Sequence, residues 1–147
     1  MKEIKTEIEI SSSRDNVWQT LMDFKKYDDW NTIISEVKAV AEVNRSIRFK
    51  INVNGNKLPI TARIQRCEEN CYFGWGTKSG SWMNRIIGAH HYFELHEISP
   101  EKCKVLHGEV FYGIIPFLTW PLIRKLKQSY EGMNRALKHQ VESQMAL

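Results

Sequence analysis

Four of the five histidines in the chain lie in one stretch, "GAHHYFELHEISPEKCKVLHGEVFYG", which runs from Gly88 to Gly113 and also contains Glu94, Glu97, Cys103 and Glu109. Imidazole and carboxylate groups can bind a metal ion, transfer protons as an acid and base pair, or make polar contacts in the wall of a ligand pocket. Which of these the stretch supports depends on which side chains share a face.

Strand alternation divides the stretch between the two faces of a predicted hairpin that turns at "SPEK". Because successive side chains of a strand point to opposite faces, His90 and His96 are expected to face outward. His91, His107 and Glu109 are then expected on the inner face, where directly opposite side chains lie only about 5 Å apart. The candidate cluster is therefore two histidines and one glutamate.

This cluster allows three kinds of chemistry. Two histidines and a carboxylate are suitable ligands for a metal ion, but their spacing is that of one face of a hairpin and not of a known metal motif. No metal and no cofactor are therefore predicted. A His and Glu pair in an apolar cavity could act as acid and base. The third interpretation, which we favour, is that the three side chains hydrogen-bond one another or orient a polar group of a ligand, because an unpartnered buried carboxylate costs several kcal/mol.

Apolar and aromatic positions supply the remaining candidate ligand contacts, with core packing as the competing explanation for each. Trp82 follows a glycine turn and is expected near an entrance, where Arg85 could meet an anionic group although a surface position is the simpler explanation. The full set of predicted ligand-binding residues is Trp30, Phe49, Ile60, Phe73, Trp75, Trp82, His91, Phe93, His107, Glu109, Phe111, Tyr130 and Met133.

The elements that must position these residues begin with a strand and two short helices. In "EIKTEIEI" isoleucine and threonine alternate with charged residues, which predicts a half-buried strand. The following "SSSRD" is typical of a helix start, with Ser12 or Ser13 as the cap of a first helix. "KKYDDWNTII" predicts a short second helix or turn that carries Tyr27 and Trp30.

From about residue 34 to 112 the apolar pattern has period two and predicts six further strands. Turn signals separate the strands at 44–46, 54–56, 68–70, 78–81 and 99–102, and "NGN" at 54–56 is a strong hairpin signal. The resulting antiparallel sheet would have one polar face and one apolar face.

The last segment has apolar residues at helical spacing from Leu118 to Val141, which predicts one long amphipathic helix. Pro121 lies within this pattern, so a break or a first-turn position is expected near it, with the regular helix starting at about that residue. A curved seven-stranded antiparallel sheet with this helix on its apolar face is an α+β helix-grip architecture, and a cavity between the two is a plausible ligand site.

The bulk composition excludes several classes of protein. With 147 residues, 42% of them hydrophobic and 26% charged, the chain has the size and composition of a single domain spanning 1–147. Its net charge of +4 is spread along the chain, so nucleic acid is not an expected partner. Three cysteines without a CxxC pair suggest a reducing compartment, and "MKEIKTEIEI" does not resemble a signal peptide, so a cytoplasmic location without integral membrane association is expected.

Two pieces of the sequence resemble the SRPBCC superfamily of helix-grip proteins, which includes START lipid-transfer domains, birch pollen allergen relatives and polyketide cyclase/dehydrases. They are "SSSRDNVWQTLMDFKKYDDWNTII", which looks like the superfamily's opening, and "HYFELHEISPEKCKVLHGEVFYGIIPF", which looks like its penultimate hairpin leading into the long helix. The resemblance implies the fold and a cavity between sheet and helix. It implies no particular catalytic set, because the members differ in chemistry.

Three functions are compatible with these observations. The first, which we favour, is non-enzymatic binding or transport of a small hydrophobic or aromatic molecule. The second is a polyketide cyclase/dehydrase-like or hydrolase-like enzyme that uses His91, His107 and Glu109 as acid and base. The third is a protein-interaction module of the chaperone-activator or toxin type, whose contact would be the basic helix face at Arg124, Lys125 and Lys127. The ligand and the oligomeric state do not follow from the sequence.

Overall fold

The computed structural model of the chain describes residues 1–78 and 80–145. Within these residues the strands are β1 (Lys2–Ile10), β2 (Ile34–Ala39), β3 (Ser46–Val53), β4 (Asn56–Glu68), β5 (Tyr72–Gly76), β6 (Gly88–Ser99) and β7 (Lys102–Tyr112). The α-helices are α1 (Arg14–Met22), α2 (Tyr27–Trp30), α3 (Ile114–Leu118), α4 (Trp120–Ile123) and α5 (Leu126–Met145). Short 3-10 turns span Phe24–Lys26 and Trp82–Arg85.

The strands of the described chain form one antiparallel sheet in the order β1-β7-β6-β5-β4-β3-β2. Strands β2 to β7 follow one another as a meander, while β1 pairs with β7 at the far edge. The β3–β4 hairpin turns at Asn54 and Gly55, both with positive φ, as the "NGN" signal predicts. The predicted sheet is confirmed, but β2 ends at Ala39 and β6 begins at Gly88, several residues away from the turn signals at 44–46 and 78–81.

The two helices after β1 close one end of the sheet. Ser13 caps α1 by accepting a hydrogen bond from the backbone N–H of Asn16 at 3.2 Å, which satisfies one of the free amides of the first turn. In α2 the fully buried Tyr27 donates its hydroxyl to the carbonyl oxygen of Leu21 at 2.7 Å. This bond ties α2 to the end of α1.

Helix α5 lies on the concave face of the sheet. Its Met133, Leu137 and Val141 are buried in the same core cluster as Phe73, Phe93 and other residues of the strands. Each such side chain contributes about 1.5–3 kcal/mol when it leaves water. The predicted helix-grip architecture is therefore confirmed.

The predicted break and first-turn position near Pro121 are present, but the start of the regular helix was predicted wrongly. The regular helix begins at Leu126 and not near Pro121, and the preceding residues form the short helices α3 and α4. Pro121 has no N–H to donate and its ring would clash with the carbonyl one turn earlier, so it occupies the first turn of α4. Leu118 and Leu122 are 69% and 66% exposed, so the buried stripe of α5 does not extend to them.

Candidate functional site: a cavity between the sheet and the start of the long helix

A cavity of about 740 Å³ lies between the concave face of the sheet and the first turns of α5. Strands β3 to β7 form one wall, and residues of the 77–88 loop together with Leu126, Ser129 and Tyr130 complete it. The lining is mainly apolar, with polar groups at a few positions. Ligand cavities in proteins have about this size and character, commonly about 300–1,000 Å³.

The cavity brings together seven of the thirteen residues predicted from the sequence. They share inward-facing positions on the strands or the first turns of α5, and they are Phe49, Ile60, Trp75, His91, Glu109, Phe111 and Tyr130. The strand positions alternate as expected, because every second side chain points to the concave face.

The other six predicted residues lie elsewhere. Phe73, Phe93 and Met133 are completely buried in the core, where α5 packs directly on the sheet. Trp30 is also in the core and borders a different groove, beside α1 and the end of α5. Trp82 is 71% exposed, and His107 is fully buried behind His91. Periodicity predicts which face of the sheet a residue lies on. Whether that residue packs in the core or lines the cavity depends on the local distance between α5 and the sheet.

Several polar residues at the cavity were not predicted. Arg63 and Lys78 line it, whereas Arg85 does not line it and is exposed, in agreement with the simpler explanation given for that residue. Asn134 was also missed, although it is 2% exposed and contacts the predicted cluster. A polar residue inside the buried helical stripe from Tyr130 to Leu137 was the signal that could have identified it.

The polar end of the cavity is formed by His91, Glu109 and Tyr130. His91 and Glu109 are directly opposite each other on β6 and β7, with His91 Nδ1 3.6 Å from Glu109 Oε2. Tyr130 of α5 donates its hydroxyl to the same carboxylate oxygen. The ring of Trp75 stacks on His91 with centroids 4.6 Å apart, so the imidazole is held between an aromatic ring and a carboxylate.

A chain of buried hydrogen bonds continues from His91 through His107 and Asn134 to Thr6 of the edge strand β1. The donor and acceptor of each bond follow from the chemistry of the groups. The Thr6 hydroxyl lies 2.8 Å from the carbonyl oxygen of His107, which can only accept, so the hydroxyl donates there. The Thr6 oxygen therefore accepts from Asn134 Nδ2 at 2.8 Å. Asn134 Oδ1 then faces His107 Nδ1 at 2.7 Å, so Nδ1 must carry a proton.

This polarity determines the protonation of the two histidines. Burial in the first place, and neighbouring His91 in the second, hold the pKa of His107 well below its usual value, so the ring is neutral near pH 7. With its proton on Nδ1, His107 accepts at Nε2 from His91 Nε2, 2.9 Å away. His91 therefore presents its second nitrogen, Nδ1, to Glu109.

His91 and Glu109 are therefore the polar groups of this hydrogen-bonded chain that also line the cavity, with Nδ1 3.6 Å from Oε2. Burial alone would raise the pKa of Glu109, but the hydrogen bond and charge of His91, with the Tyr130 hydroxyl, outweigh it and the pKa lies below its usual value. Glu109 is thus a carboxylate near neutral pH. Burial and the adjacent carboxylate raise the pKa of Tyr130, which stays a hydrogen-bond donor.

The nitrogens of the two histidines point at each other, at Asn134 and at Glu109, and do not converge on a common point. Among residues 1–78 and 80–145 no group of three or more His, Cys, Asp or Glu side chains is arranged to hold a metal ion. The arrangement supports hydrogen bonding to a ligand, and proton transfer through the pair.

The other two histidines of the stretch lie on the convex face. His90 is half-buried, stacks with Tyr72 and Tyr92, and has its Nε2 2.8 Å from the Tyr72 hydroxyl. His96 is exposed and lies 2.8 Å from Glu94. Neither reaches the cavity.

In the described ranges, no helix combines the length and the apolar character needed to cross a bilayer. The basic residues Arg124, Lys125 and Lys127 are exposed at the junction of α4 and α5.

No protein-family model matches the sequence, and no curated protein is similar to it in sequence. Solved structures are similar in fold. A START superfamily protein from Mycobacterium smegmatis has a TM-score of 0.77 at 18% identity, with 96% of this chain and 97% of that chain covered. The Zhui aromatase/cyclase from Streptomyces sp. R1128 has a TM-score of 0.76 at 12% identity, with 98% and 95% covered.

Norcoclaurine synthase from Thalictrum flavum is a third structure of this kind, with a TM-score of 0.73 at 12% identity and coverage of 98% and 96%. At these identities the similarity concerns the fold and not the chemistry. The sheet order, the long helix on its concave face and these structures together show that the chain has the helix-grip fold of START superfamily proteins and aromatase/cyclases.

Proposed function

We propose that the protein binds a small hydrophobic or aromatic molecule in the cavity between the sheet and α5. The observation that carries this proposal is the cavity itself, about 740 Å³ in volume and lined mainly by apolar side chains. A well-packed domain leaves few voids larger than a water molecule, so an open cavity of this size between the sheet and the long helix indicates a ligand site.

The polar end of the cavity indicates how the ligand would be oriented. Glu109 Oε2 is engaged by Tyr130 and lies near His91, whereas no hydrogen bond within the described residues uses Oε1. A hydroxyl or other donor on the ligand could bind this oxygen, while its apolar body contacts Phe49, Ile60 and Trp75. His107 would act behind His91 by holding the ring in place.

The ligand classes to test first come from the shape and lining of the cavity. Aromatic compounds fit the stacked rings of Trp75 and His91, and one related structure is a norcoclaurine synthase in complex with dopamine and hydroxybenzaldehyde. Fatty acids and isoprenoid quinones fit the apolar remainder. The proposal includes transport of the bound molecule as a possible role of this binding.

The test is a thermal-shift screen with oleate, a short-chain quinone, polyphenolic polyketides and the dye 8-anilinonaphthalene-1-sulfonate. A ligand that binds only the folded state stabilises it by about 2.7 kcal/mol at 100 times its Kd, which raises Tm by several degrees. Native mass spectrometry of the purified protein would show a co-purified molecule. A screen without any shift, together with an empty native spectrum, would contradict the proposal.

A second candidate function is proton-transfer catalysis of the cyclase/dehydrase or hydrolase kind. The observation that favours it is the pair of His91 and Glu109, with Nδ1 3.6 Å from Oε2, at the wall of a mainly apolar cavity. General acid–base catalysis by such a pair typically contributes about 10²–10⁴-fold. His91 would give or take the proton at a carbonyl or hydroxyl of the substrate. Glu109 would hold the compensating charge.

Glu109→Gln separates the two candidates, because glutamine keeps the shape and the acceptor oxygen but cannot carry the charge. For an enzyme we expect turnover of a ligand from the screen to fall by about 100-fold or more, with binding retained. For a binding protein, affinity changes modestly and wild type shows no turnover. Glu101→Gln, at the exposed β6–β7 turn, is the matched control and should change neither.

A further inference from the structure

The rim of the cavity carries an exposed apolar surface, which we call the mouth surface. It consists of two segments: the loop residues Trp82, Met83, Ile86 and Ile87, and the α3–α4 residues Ile114, Ile115, Phe117, Leu118 and Leu122. Trp82, Phe117 and Leu118 are 71%, 61% and 69% exposed. Contiguous exposed apolar surface of this kind marks an interaction site in proteins.

Backbone contacts join the two segments into one surface. The N–H of Ile115 donates to the carbonyl oxygen of Ile86 at 3.0 Å. At Gly113, with φ of +95°, a Cβ would meet the carbonyl carbon of Ile86 at 2.6 Å, so the chain can approach this closely only because residue 113 is glycine. Met83, Ile87 and neighbouring Leu126 also line the cavity, which places the mouth surface at its rim.

The charges of the two segments all have one sign. Residues 77–88 and 113–130 contain Lys78, Arg85, Arg124, Lys125 and Lys127 and no aspartate or glutamate. The next residue, Glu131, lies 3.9 Å from Lys127, which leaves the other four cations without an acidic partner within these segments. In addition, Lys2 Nζ lies 5.6 Å from the ring centre of Phe117 and 5.7 Å from that of Trp120. Cations and exposed apolar side chains therefore occur together at the rim.

These properties identify the kind of partner. A two-fold contact between two copies would place the same cations of both chains opposite one another, without any acidic group of these segments to balance them. A bilayer that contains anionic lipids offers both complements at once, since its headgroups attract Lys and Arg while aromatic and aliphatic side chains enter the boundary with the acyl chains.

We propose that the mouth surface docks on the surface of an anionic lipid bilayer. This contact is peripheral: exposed rings and aliphatic side chains enter the headgroup region and the cations contact lipid phosphates. The proposal does not depend on which molecule occupies the cavity, although it would place the cavity rim against the membrane.

Flotation with vesicles tests the proposal, using vesicles of phosphatidylcholine alone and of phosphatidylcholine mixed equally with phosphatidylglycerol. Wild type should float with the mixed vesicles at low salt and bind phosphatidylcholine far more weakly. Binding should fall sharply at about 1 M salt, where the screening length is about 3 Å. The triple variant Arg85→Glu, Arg124→Glu, Lys125→Glu should partition at least about tenfold less to the mixed vesicles.

A second variant tests the apolar part: Phe117→Ser, Leu118→Ser, Leu122→Ser should also lose partition, at unchanged net charge. The matched control reverses three exposed cations outside the mouth surface, Lys5→Glu, Lys25→Glu, Arg48→Glu, and should retain most of the binding. Circular dichroism and Tm of each variant verify that it is folded. Dye binding in the cavity, measured on the same variants, separates a failure of this proposal from a failure of the proposed function.

Three outcomes would overturn the proposal. The first is no binding to either vesicle, and the second is an equal loss of partition in the control variant. The third is a dimer in sedimentation velocity that the Phe117, Leu118 and Leu122 variant dissociates, which would assign the surface to a second copy of the chain.

Discussion

At the scale of single residues, the centre of the site is His91, whose two ring nitrogens make different contacts. His91 Nε2 is committed to His107 at 2.9 Å, and His107 is in turn oriented by Asn134 and Thr6. Only Nδ1 remains for Glu109 and for exchange with a ligand. Each member of the buried chain is satisfied, as the cost of a buried polar group without a partner requires.

The buried neutral state of His107 predicts a pH dependence of stability. Its folded pKa lies well below that of the unfolded chain, about 6.5, because of burial and then of His91. The unfolded state therefore binds a proton below about pH 6.5 that the folded state does not bind, so this contribution to stability is present above pH 6.5 and is lost as the pH falls. We expect the free energy of unfolding to drop by about 1 kcal/mol between pH 6.5 and 5.5 from this residue.

Urea unfolding at several pH values measures this effect. Burial also lowers the pKa of His90, so His90 adds its own contribution to the pH dependence of stability. The comparison is therefore between wild type and His107→Gln, which differ only at His107. The His107→Gln variant should lack about one proton of the pH dependence in this window. Identical slopes for wild type and the His107 variant would contradict the neutral buried ring.

At the scale of elements, the order of the strands and most of their turns followed from alternation and turn residues, and the junction before the long helix did not. The pattern of leucines continues through α3 and α4, but the helices are interrupted at Thr119 and again at residues 124–125. The path of the chain into α3 depends on the contact of Gly113 with Ile86, which is distant in sequence.

Gly113→Ala should therefore destabilise the protein more than the same change at another glycine with positive φ. Both positions have a positive φ, which costs an alanine about 1–3 kcal/mol. At Gly113 the new atom would also meet backbone atoms of Ile86 at 2.6 Å, which adds about 1–3 kcal/mol of overpacking. Gly55→Ala is the control, since nothing lies within 4 Å of its Cβ position. Equal losses in urea unfolding would refute the close packing at Gly113.

At the scale of the whole molecule, the cavity exists because α5 contacts the sheet closely at one end and stands away from it at the other. Met133 and Leu137 are completely buried, whereas Leu126 and Ser129 face the cavity. The function proposed for the protein depends on this difference along one helix and not on any single residue.

Filling the cavity should abolish ligand binding without unfolding the protein. In Ile60→Trp the larger ring would occupy space between β4 and α5, so the Tm shift caused by a ligand from the screen should disappear, with intrinsic stability changed by about 1–3 kcal/mol or less. Ile98→Trp is the matched control, because Ile98 is 47% exposed on β6 and does not line the cavity. An unchanged ligand shift in Ile60→Trp would place the ligand elsewhere.

The sequence by itself determined the element order, the two faces of the sheet and the inward direction of His91, His107 and Glu109. These features follow from local periodicity, which acts over a few residues. The tertiary structure decided which inward residues are core and which line a cavity, because that depends on the distance between helix and sheet. It also decided the role of Asn134, whose bond to Thr6 spans 128 positions of the chain and determines which nitrogen of His91 faces Glu109. Only folding can place such distant groups within hydrogen-bonding distance.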